Sequence, residues 1–326
     1  MDEQRTPSYD VGPIGGRFQL GRLIGRGAFG LVYAAVDLDT GGQVAMKLEH
    51  RSFLEQLHNE KEVYEELQRR NGGSQMKGFP MIQWFGQEGN LNVLAMDMLG
   101  LSLEALFNSC GRRFTYKTTL LIGCEVLDRL QTLHACGYVH RDLKPQNLLI
   151  GSLDHKHSVH LIDFGMAQRF ADLITGKHLR YHDGFDMLGT ACYASINAHR
   201  GVTQTRRDDL ISLSYILMYF LRGSLPWSEH TASSKPGANA RLAKAKAKVP
   251  RLYKDLPSEL TTVVDYAARL AFDETPDYDY IRNMFELGLI RNGFHRSSKY
   301  DWEMSPAELG HRVYVCLAII VHKTRN

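Results

Sequence analysis

The sequence predicts an α+β fold with two lobes, a small β-rich lobe followed by a larger, mainly helical lobe. Short runs of β-branched and aromatic residues separated by glycines fill the first third, whereas helical periodicity dominates after Leu101. Such a change along one chain is typical of segregated sheet and helix layers. The length of 326 residues fits two packed units, and a composition with 44% hydrophobic and 23% charged residues excludes a disordered or fibrous chain.

The small lobe is predicted to contain strands and one helix. Residues 18–36 read as short strands around glycines, residues 44–48 as another strand, and residues 84–85 and 91–96 as a hairpin. Residues 53–69 predict a helix, because apolar side chains recur on one face. The face expected to be buried carries Leu57, Glu60, Tyr64 and Leu67. The opposite face, expected to be exposed, carries Glu55, Asn59, Glu62, Glu66 and Arg69.

The large lobe is predicted to be helical, most clearly at Thr118–His134, Asp209–Leu221 and Pro257–Ala271. The expected division of the chain is a flexible tail over residues 1–17, the small lobe over 18–96, the large lobe over 97–300 and a short extension over 301–326. The apolar stretch Val313–Val321 is expected to pack on the large lobe. No apolar stretch reaches the ~20 residues of a membrane helix, and the N-terminus lacks the apolar run of a secretory signal.

Charge and cysteine content narrow the function classes. A net charge of +3 is too small for wrapping by nucleic acid. The five cysteines form no C-x-x-C pair, so we expect reduced thiols in a cytoplasmic protein, with the nucleus as a second location. One basic run is expected to be an exposed helix face, with substrate anions or nuclear import as alternatives: Arg241, Lys244, Lys246, Lys248 and Arg251. One histidine cluster is expected to be a solvated turn rather than a metal site: His155, His157 and His160.

A glycine-rich loop joins the first two predicted strands. Gly25, Gly27 and Gly30 match the pattern G-x-G-x-x-G, which allows backbone to approach phosphates closely. A dinucleotide-binding loop opens a helix, but here a strand with Val32 follows. Strand, loop and strand together indicate a flap over a nucleotide. Because the chain holds 29 glycines, a simple hairpin turn is the alternative.

A lysine and a glutamate stand in apolar surroundings. Lys47 ends a Val-Ala-Met-Lys run on a predicted strand, a pattern in which the lysine contacts phosphates. Glu60 falls on the apolar face of its helix, where an unpaired carboxylate would be costly. We therefore predict an ion pair between Lys47 and Glu60. A glutamate at the helix edge that reaches water is the alternative.

Two acidic motifs carry the chemistry. Residues 140–147 fit the pattern H-R-D-L-x-x-x-N, and Asp163 opens a D-F-G motif after a predicted hairpin that would bring both motifs together. Asn147 and Asp163 supply oxygen ligands that suit Mg²⁺. Asp142 is expected to orient a hydroxyl and accept its proton, while Lys144 places a cation beside the transferring phosphoryl group.

These motifs make the chain resemble a eukaryotic protein kinase over residues 18–295, and the casein kinase 1 family in particular. Where most kinases carry Ala-Pro-Glu, this chain has a G-T-x-x-Y-A-S-I-N segment. The runs that resemble casein kinase 1 are Gly189–Asn197, Arg206–Leu210, Leu217–Phe220, Gly223–Trp227 and Pro276–Arg282. The resemblance implies an active Ser/Thr protein kinase that uses ATP with Mg²⁺, or Mn²⁺ in its place, and acts as a monomer on protein substrates, with acidic groups upstream of the target.

The resemblance also implies individual roles. Thr190 should tie Asp142 to Lys144, and Asp209 should brace the backbone near His140, with an ordinary helix cap as the alternative for Asp209. Arg141 would receive a phosphate if Thr175, Tyr181 or Tyr193 were phosphorylated. The ATP site implied by the family comprises Ile24, Gly25, Gly27, Gly30, Val32, Ala45, Lys47, Met96 as gatekeeper, Leu99 at the hinge, Leu149 and Ile162.

The chain departs from the family at its anion site. Typical members bind a priming phosphate upstream of the target with a basic cluster, whose arginine falls here at Cys192. Glu229 adds a negative charge, and a later lysine aligns near Ala238, although Lys235 and Arg241 remain. Because a thiol cannot replace a bidentate guanidinium, we predict weakened dependence on priming.

Two other function classes remain as alternatives. A pseudokinase scaffold would lack a key group, yet Lys47, Glu60, Asp142, Asn147 and Asp163 are all present. A small-molecule phosphotransferase would share the nucleotide site. The resemblance of residues 189–197 favours protein substrates over that alternative.

Overall fold

The computed structural model describes residues 12–27, 30–51, 56–152, 158–172, 174–230, 237–247 and 256–304. Several predicted features lie outside these residues: the tail over 1–11, the loop residues 28–29, Glu55 at the start of the predicted helix, His155 and His157, Lys235, Lys248, Arg251, and residues 305–326 with Val313–Val321. Among the described helices, none is long and apolar enough to cross a membrane.

The first part of the chain forms an antiparallel sheet of five strands, as predicted. The strands are β1 (Phe18–Arg26), β2 (Leu31–Asp37), β3 (Gln43–His50), β4 (Ile82–Glu88) and β5 (Leu91–Asp97). Their order in the sheet is β1-β2-β3-β5-β4, so β3 lies in the middle, paired with β2 and β5. Within the predicted tail, Ile14 forms a bridge with Phe18 and is buried against one face of the sheet.

Helix α1 (Gln56–Arg70) lies between β3 and β4 and buries the predicted face. Leu57, Glu60, Tyr64 and Leu67 are all buried. The prediction for Glu66 is wrong: it is 6% exposed and pairs with Arg69 and Arg70 one turn further along the helix. Its carboxylate tolerates burial because two guanidinium groups compensate for the lost water.

The second part of the chain is helical, which confirms the predicted fold class. Its helices are α2 (Leu103–Ser109), α3 (Tyr116–Ala135), α4 (Ile196–His199), α5 (Arg206–Arg222), α6 (Ala238–Lys246), α7 (Ser258–Arg269) and α8 (Tyr278–Arg291). Helix α5 begins earlier than predicted, because Thr205 donates its backbone N–H to the side chain of Asp208 in a capping box. Two short antiparallel pairs complete this part: β6 (Tyr138–Val139) with β9 (Gln168–Arg169), and β7 (Leu148–Ile150) with β8 (Val159–Leu161).

The main hydrophobic core runs from α1 into the helical part. Leu57 and Tyr64 of α1 belong to the same buried cluster as residues of α3 and α5. Phe164 joins them, with its ring 4.9 Å from that of Tyr64. The segment after β8 is therefore packed against the helix of the small lobe, which places the predicted acidic motifs at the junction between sheet and helices.

Candidate active site

Lys47 stands at the centre of a buried ion-pair network. Its Nζ lies 2.7 Å from Oε2 of Glu60 and 2.8 Å from Oδ1 of Asp163. The predicted pair with Glu60 is thus present, and the pair with Asp163 links the sheet to the segment after β8. Burial lowers the pKa of Lys47, but the charges of Glu60 and Asp163 outweigh it and raise that pKa. Lys47 is therefore a permanent cation at this junction.

The glycine loop is held tightly over β3. Gly27 donates its backbone N–H to the carbonyl of Gly30, 2.9 Å away. A Cβ at Gly30 would lie 2.3 Å from the carbonyl oxygen of Leu48, so no other residue fits without displacing β3. Gly30 therefore lies directly beside the strand that carries Lys47. A flap over a nucleotide and a simple hairpin turn would both place it there, so this contact does not distinguish the two interpretations.

One face of the sheet presents apolar side chains beside Lys47. Ala45 and Lys47 are two residues apart on β3 and so share a face. Met96 on β5 lies opposite Ala45, and Val32 on β2 lies opposite Lys47. Ile24 on β1 is 43% exposed, a fraction that leaves it available for contact with a ligand. Gly25 pairs with Val32 at the loop.

The helical part contains the other residues implied for the adenine slot. Leu149 on β7 and Ile162 after β8 are both half-buried apolar side chains. The backbone N–H of Ile162 donates to the carbonyl of Asn147, which fixes the hairpin. Leu99 lies in the connection after β5, where its neighbour Gly100 donates to the carbonyl of Ile150. The ion pair of Lys47 with Asp163, the neighbour of Ile162, places this end of the hairpin beside β3.

The carboxylate of Asp142 is held by three contacts from two residues. Lys144 Nζ lies 2.5 Å from its Oδ2, and the backbone N–H and hydroxyl of Thr190 both donate to its Oδ1 at 2.7 Å. A Cβ at Gly189, which has φ +92°, would lie 2.4 Å from the carbonyl oxygen of Arg141, so glycine permits this close approach. Thr190 therefore reaches Asp142 as predicted, and it fixes one oxygen while Lys144 contacts the other.

Asn147 and Asp163 are suited to a divalent cation. The side-chain amide of Asn147 donates to the carbonyl of Asp142 at 3.0 Å, which leaves its amide oxygen as the atom for a ligand. Burial would raise the pKa of Asp163, but Lys47 outweighs it and lowers that pKa to about 2. An ionised carboxylate and an amide oxygen are ligands that suit Mg²⁺. The donor set fits the ion, which would be held by Asn147 and Asp163 and would supply positive charge against the phosphates of ATP.

Asp209, near the start of α5, braces the segment that carries Asp142. It accepts from the backbone N–H groups of His140 at 2.8 Å and Arg141 at 3.0 Å. This is the predicted role, and the helix cap is made instead by Asp208. Burial lowers the pKa of His134, so its neutral ring donates from Nε2 to Asp209 at 2.9 Å and accepts from the hydroxyl of Tyr278.

Arg141 is already satisfied by groups of the same chain. Its Nε donates to the carbonyl of Met166 at 2.7 Å, and Nη1 donates to Oε1 of Gln168 at 2.8 Å. Its φ of 65° lies in the left-handed region, which for a non-glycine residue is a sign of strain held by the surroundings. Of the tyrosines considered as phosphate carriers, Tyr193 is buried and Tyr181 is 52% exposed.

Three functional neighbours were missed from the sequence. The side-chain amide of Asn59, predicted to face solvent, donates to the carbonyls of Phe164 and Ala167 at 3.0 Å each. Lys246 was predicted to be exposed but is 1% exposed. Its ammonium donates to backbone carbonyls in the segment after Thr190. The third neighbour is His134, whose hydrogen bond to Asp209 is indicated by no sequence motif. Arg241 and Lys244 of the same basic run are exposed as predicted. The prediction of a solvated turn is wrong for His160, the described member of the histidine cluster, because it is buried on β8. Among the described residues there is no group of three or more metal-binding side chains.

Comparison with known families agrees with this geometry. A family model described as the protein kinase domain matches residues 18–276. The matched range includes the glycine loop, the Lys47 ion pairs and both acidic motifs. It extends from β1 to just before α8 and covers well over half of the chain. The chain therefore belongs to the protein kinase domain family.

Proposed function

We propose that the chain is a Ser/Thr protein kinase of the casein kinase 1 type, which transfers the γ-phosphoryl group of ATP to protein hydroxyls. The observation that carries the proposal is the set of contacts around Asp142, whose two carboxylate oxygens are bound by Thr190 and Lys144. A carboxylate fixed in this way can orient a hydroxyl and accept its proton. Lys144 then lies where it can neutralise charge on the transferring group.

The remaining residues have roles that follow from their placement. Lys47, held by Glu60, would contact the phosphates of ATP, and Asn147 with Asp163 would hold Mg²⁺, which neutralises phosphate charge. The apolar wall around Ala45 and Met96 would cover the adenine. The acceptor of the phosphoryl group is the substrate hydroxyl and not a water molecule. The chain's own contribution is therefore positioning and charge neutralisation.

Phosphate transfer to a mixture of peptides tests the proposal. The chain is incubated with ATP, Mg²⁺ and a casein or peptide mixture, and the products are mapped by mass spectrometry. We expect phosphate on Ser and Thr and almost none on Tyr. The Asp163→Asn variant is the control for the metal site, and Asp279→Asn is the matched control for an exposed aspartate on α8. Equal incorporation by Asp163→Asn would refute the metal assignment, and ATP consumption without labelled peptide would favour the small-molecule alternative.

We also propose that the chain depends little on a priming phosphate. Cys192, at the position of the family's arginine, is a neutral thiol, because burial raises its pKa. Its Sγ lies 3.9 Å from the hydroxyl of Ser228, and neither group is a cation. Arg241, a remaining member of the family's basic cluster, is exposed on helix α6. The position of Cys192 therefore lacks a cation, whereas that of Arg241 keeps one.

Paired peptides with and without an upstream phosphoserine test this second proposal. We expect kcat/KM values within about tenfold of each other for the unmodified chain, because one bidentate contact to phosphate is missing. Cys192→Arg should increase the preference for the primed peptide, and Cys192→Ser, which keeps the size, should not. A preference of some hundredfold in the unmodified chain would contradict the proposal.

A further inference from the structure

Helix α6 contains a lysine that is buried without a carboxylate partner in the part of the chain that the structure describes. Lys246 is 1% exposed, and among the described residues no carboxylate forms a salt bridge with it. Burying an unpaired cation is expensive, so such a residue persists only where other groups replace its water. The exposed Lys244, two residues earlier on the same helix, has no such constraint.

The groups that replace water around Lys246 come from one segment of the chain. Nζ donates to the carbonyl oxygens of Ala191 at 2.8 Å and Ala194 at 2.6 Å, and lies 3.0 Å from Nε2 of His199. These three contacts use all three N–H groups of an ammonium. The rings of Tyr215 and Trp227 lie 5.2 and 5.4 Å from Nζ, which adds cation–π attraction.

The segment that Lys246 holds follows directly on Thr190, which binds Asp142. The carbonyl of Thr190 accepts from the backbone N–H groups of Tyr193 and Ala194. The carbonyl of Cys192 accepts from the indole N–H of Trp227 at 2.8 Å. Residues 190–195 are here termed the 190–195 loop. Three of its carbonyl oxygens, those of Ala191, Cys192 and Ala194, are thus bound by the side chains of Lys246 on α6 and Trp227 after α5.

Thr190, the first residue of the 190–195 loop, binds Asp142, so the loop begins beside the carboxylate that a substrate hydroxyl has to reach. We propose that Lys246 is a positioning residue that keeps the 190–195 loop in the shape that receives the protein substrate. Its ammonium then sets the affinity for the protein substrate and leaves the affinity for ATP unchanged. This inference rests on the proposed protein kinase function.

The protonation of Lys246 gives a second way to observe the same role. Burial lowers the pKa of Lys246 to about 7 and that of His199 to about 4. The titratable groups that face the ammonium are His199 from α4, Cys192 from the 190–195 loop and Tyr215 from α5. His199 is therefore neutral near pH 7 and accepts through Nε2. An uncharged Lys246 keeps two N–H groups for three acceptors, so the KM for peptide should rise as the pH rises above 7.

Steady-state kinetics of the full chain test the inference, with one Ser-containing peptide that has no group titrating between pH 6 and 9. Lys246→Met keeps the length and removes the donors, and Lys244→Met is the matched control. We expect Lys246→Met to raise the KM for peptide about tenfold or more, with the KM for ATP within about twofold. The rise in peptide KM between pH 6.5 and 8.5 should be present in the unmodified chain and in Lys244→Met, and absent in Lys246→Met.

A second variant covers the case in which Lys246→Met does not fold, as judged by its thermal unfolding. Trp227→Phe keeps an aromatic ring near the ammonium but removes the donor to Cys192 and part of the buried indole. The peptide KM should therefore rise a few-fold with the ATP KM unchanged. The inference is overturned if a folded Lys246→Met has an unchanged peptide KM, or if peptide and ATP KM rise in proportion, since that describes general loosening. Where Lys246→Met does not fold, an unchanged peptide KM in Trp227→Phe overturns it. If the unmodified chain labels no peptide, the proposed function itself fails.

Discussion

Replacing Asp209 by asparagine should destabilise the fold and slow phosphate transfer together. The carboxylate is 2% exposed and accepts from three donors: the backbone N–H groups of His140 and Arg141 and the ring of His134. Burial would raise the pKa of Asp209, but the hydrogen bonds from His134 and from the backbone of His140 lower it. The group is therefore ionised, and all three of its hydrogen bonds are charge-assisted.

The magnitude follows from these contacts. An asparagine presents an NH₂ group where one carboxylate oxygen stood, so one buried donor loses its acceptor at a cost of about 1–3 kcal/mol. The two remaining hydrogen bonds lose their charge assistance, which adds about 0.5 kcal/mol or more for each. We therefore expect the free energy of unfolding to fall by about 2–4 kcal/mol. The kcat should fall as well, because His140 and Arg141 immediately precede Asp142.

Urea unfolding followed by tryptophan fluorescence measures the first effect, and steady-state transfer to a peptide measures the second. Asp279→Asn on α8 is the matched control, because the side chain of Asp279 is 80% exposed and its pair with Arg282 is a surface ion pair. The control should lose less than about 1 kcal/mol. If Asp209→Asn unfolds within about 0.5 kcal/mol of the control and keeps its kcat, the bracing role is wrong.

Three further predictions follow from other contacts. Glu60→Gln should raise the KM for ATP about tenfold with little change in peptide KM, since Lys47 loses the partner that orients it; equal shifts in both constants would contradict this. Treatment with a phosphatase should leave kcat within about twofold, because Met166 and Gln168 already satisfy Arg141; loss of activity would show that a phosphate is needed. His199 has a pKa of about 4 when folded and about 6.5 when unfolded, so the unfolded chain binds more protons between these values. Stability should therefore fall by about 2 kcal/mol from pH 7.5 to pH 5, and His199→Gln should lack this part of the decrease in urea titrations.

The sequence predicted the features that depend on local pattern and on linked motifs. A carboxylate on an apolar helix face required a buried cation, and the pair of Glu60 with Lys47 meets that requirement. The short runs on either side of residues 151–158 predicted a hairpin, and β7 and β8 bring Asn147 close to Asp163. In both cases the physical constraint could be read from a few neighbouring residues.

The sequence failed where a polar side chain is buried by a distant segment. Lys246 lies four residues after the buried Leu242, so helical spacing already placed it on the inner face of α6, but the surrounding lysines favoured an exposed face. Its acceptors are backbone carbonyls of residues 191 and 194, and no residue type encodes a carbonyl. The prediction that Asn59 faces solvent was wrong for the same reason, since its partners are backbone carbonyls after Asp163.

The first turn of α5 connects the two stretches of backbone that flank Asp142. Asp209 holds the N–H groups of His140 and Arg141 on the near side. Asp208 accepts from the hydroxyl of Ser195, the last residue of the 190–195 loop, at 2.7 Å and from the amide of Asn197 at 3.0 Å. Because consecutive side chains on one rigid helix hold both stretches, a displacement of either would have to move the helix or break a buried hydrogen bond. The position of the proposed base relative to the 190–195 loop is therefore fixed by the core of the larger, helical part, and it does not depend on a phosphate at Arg141.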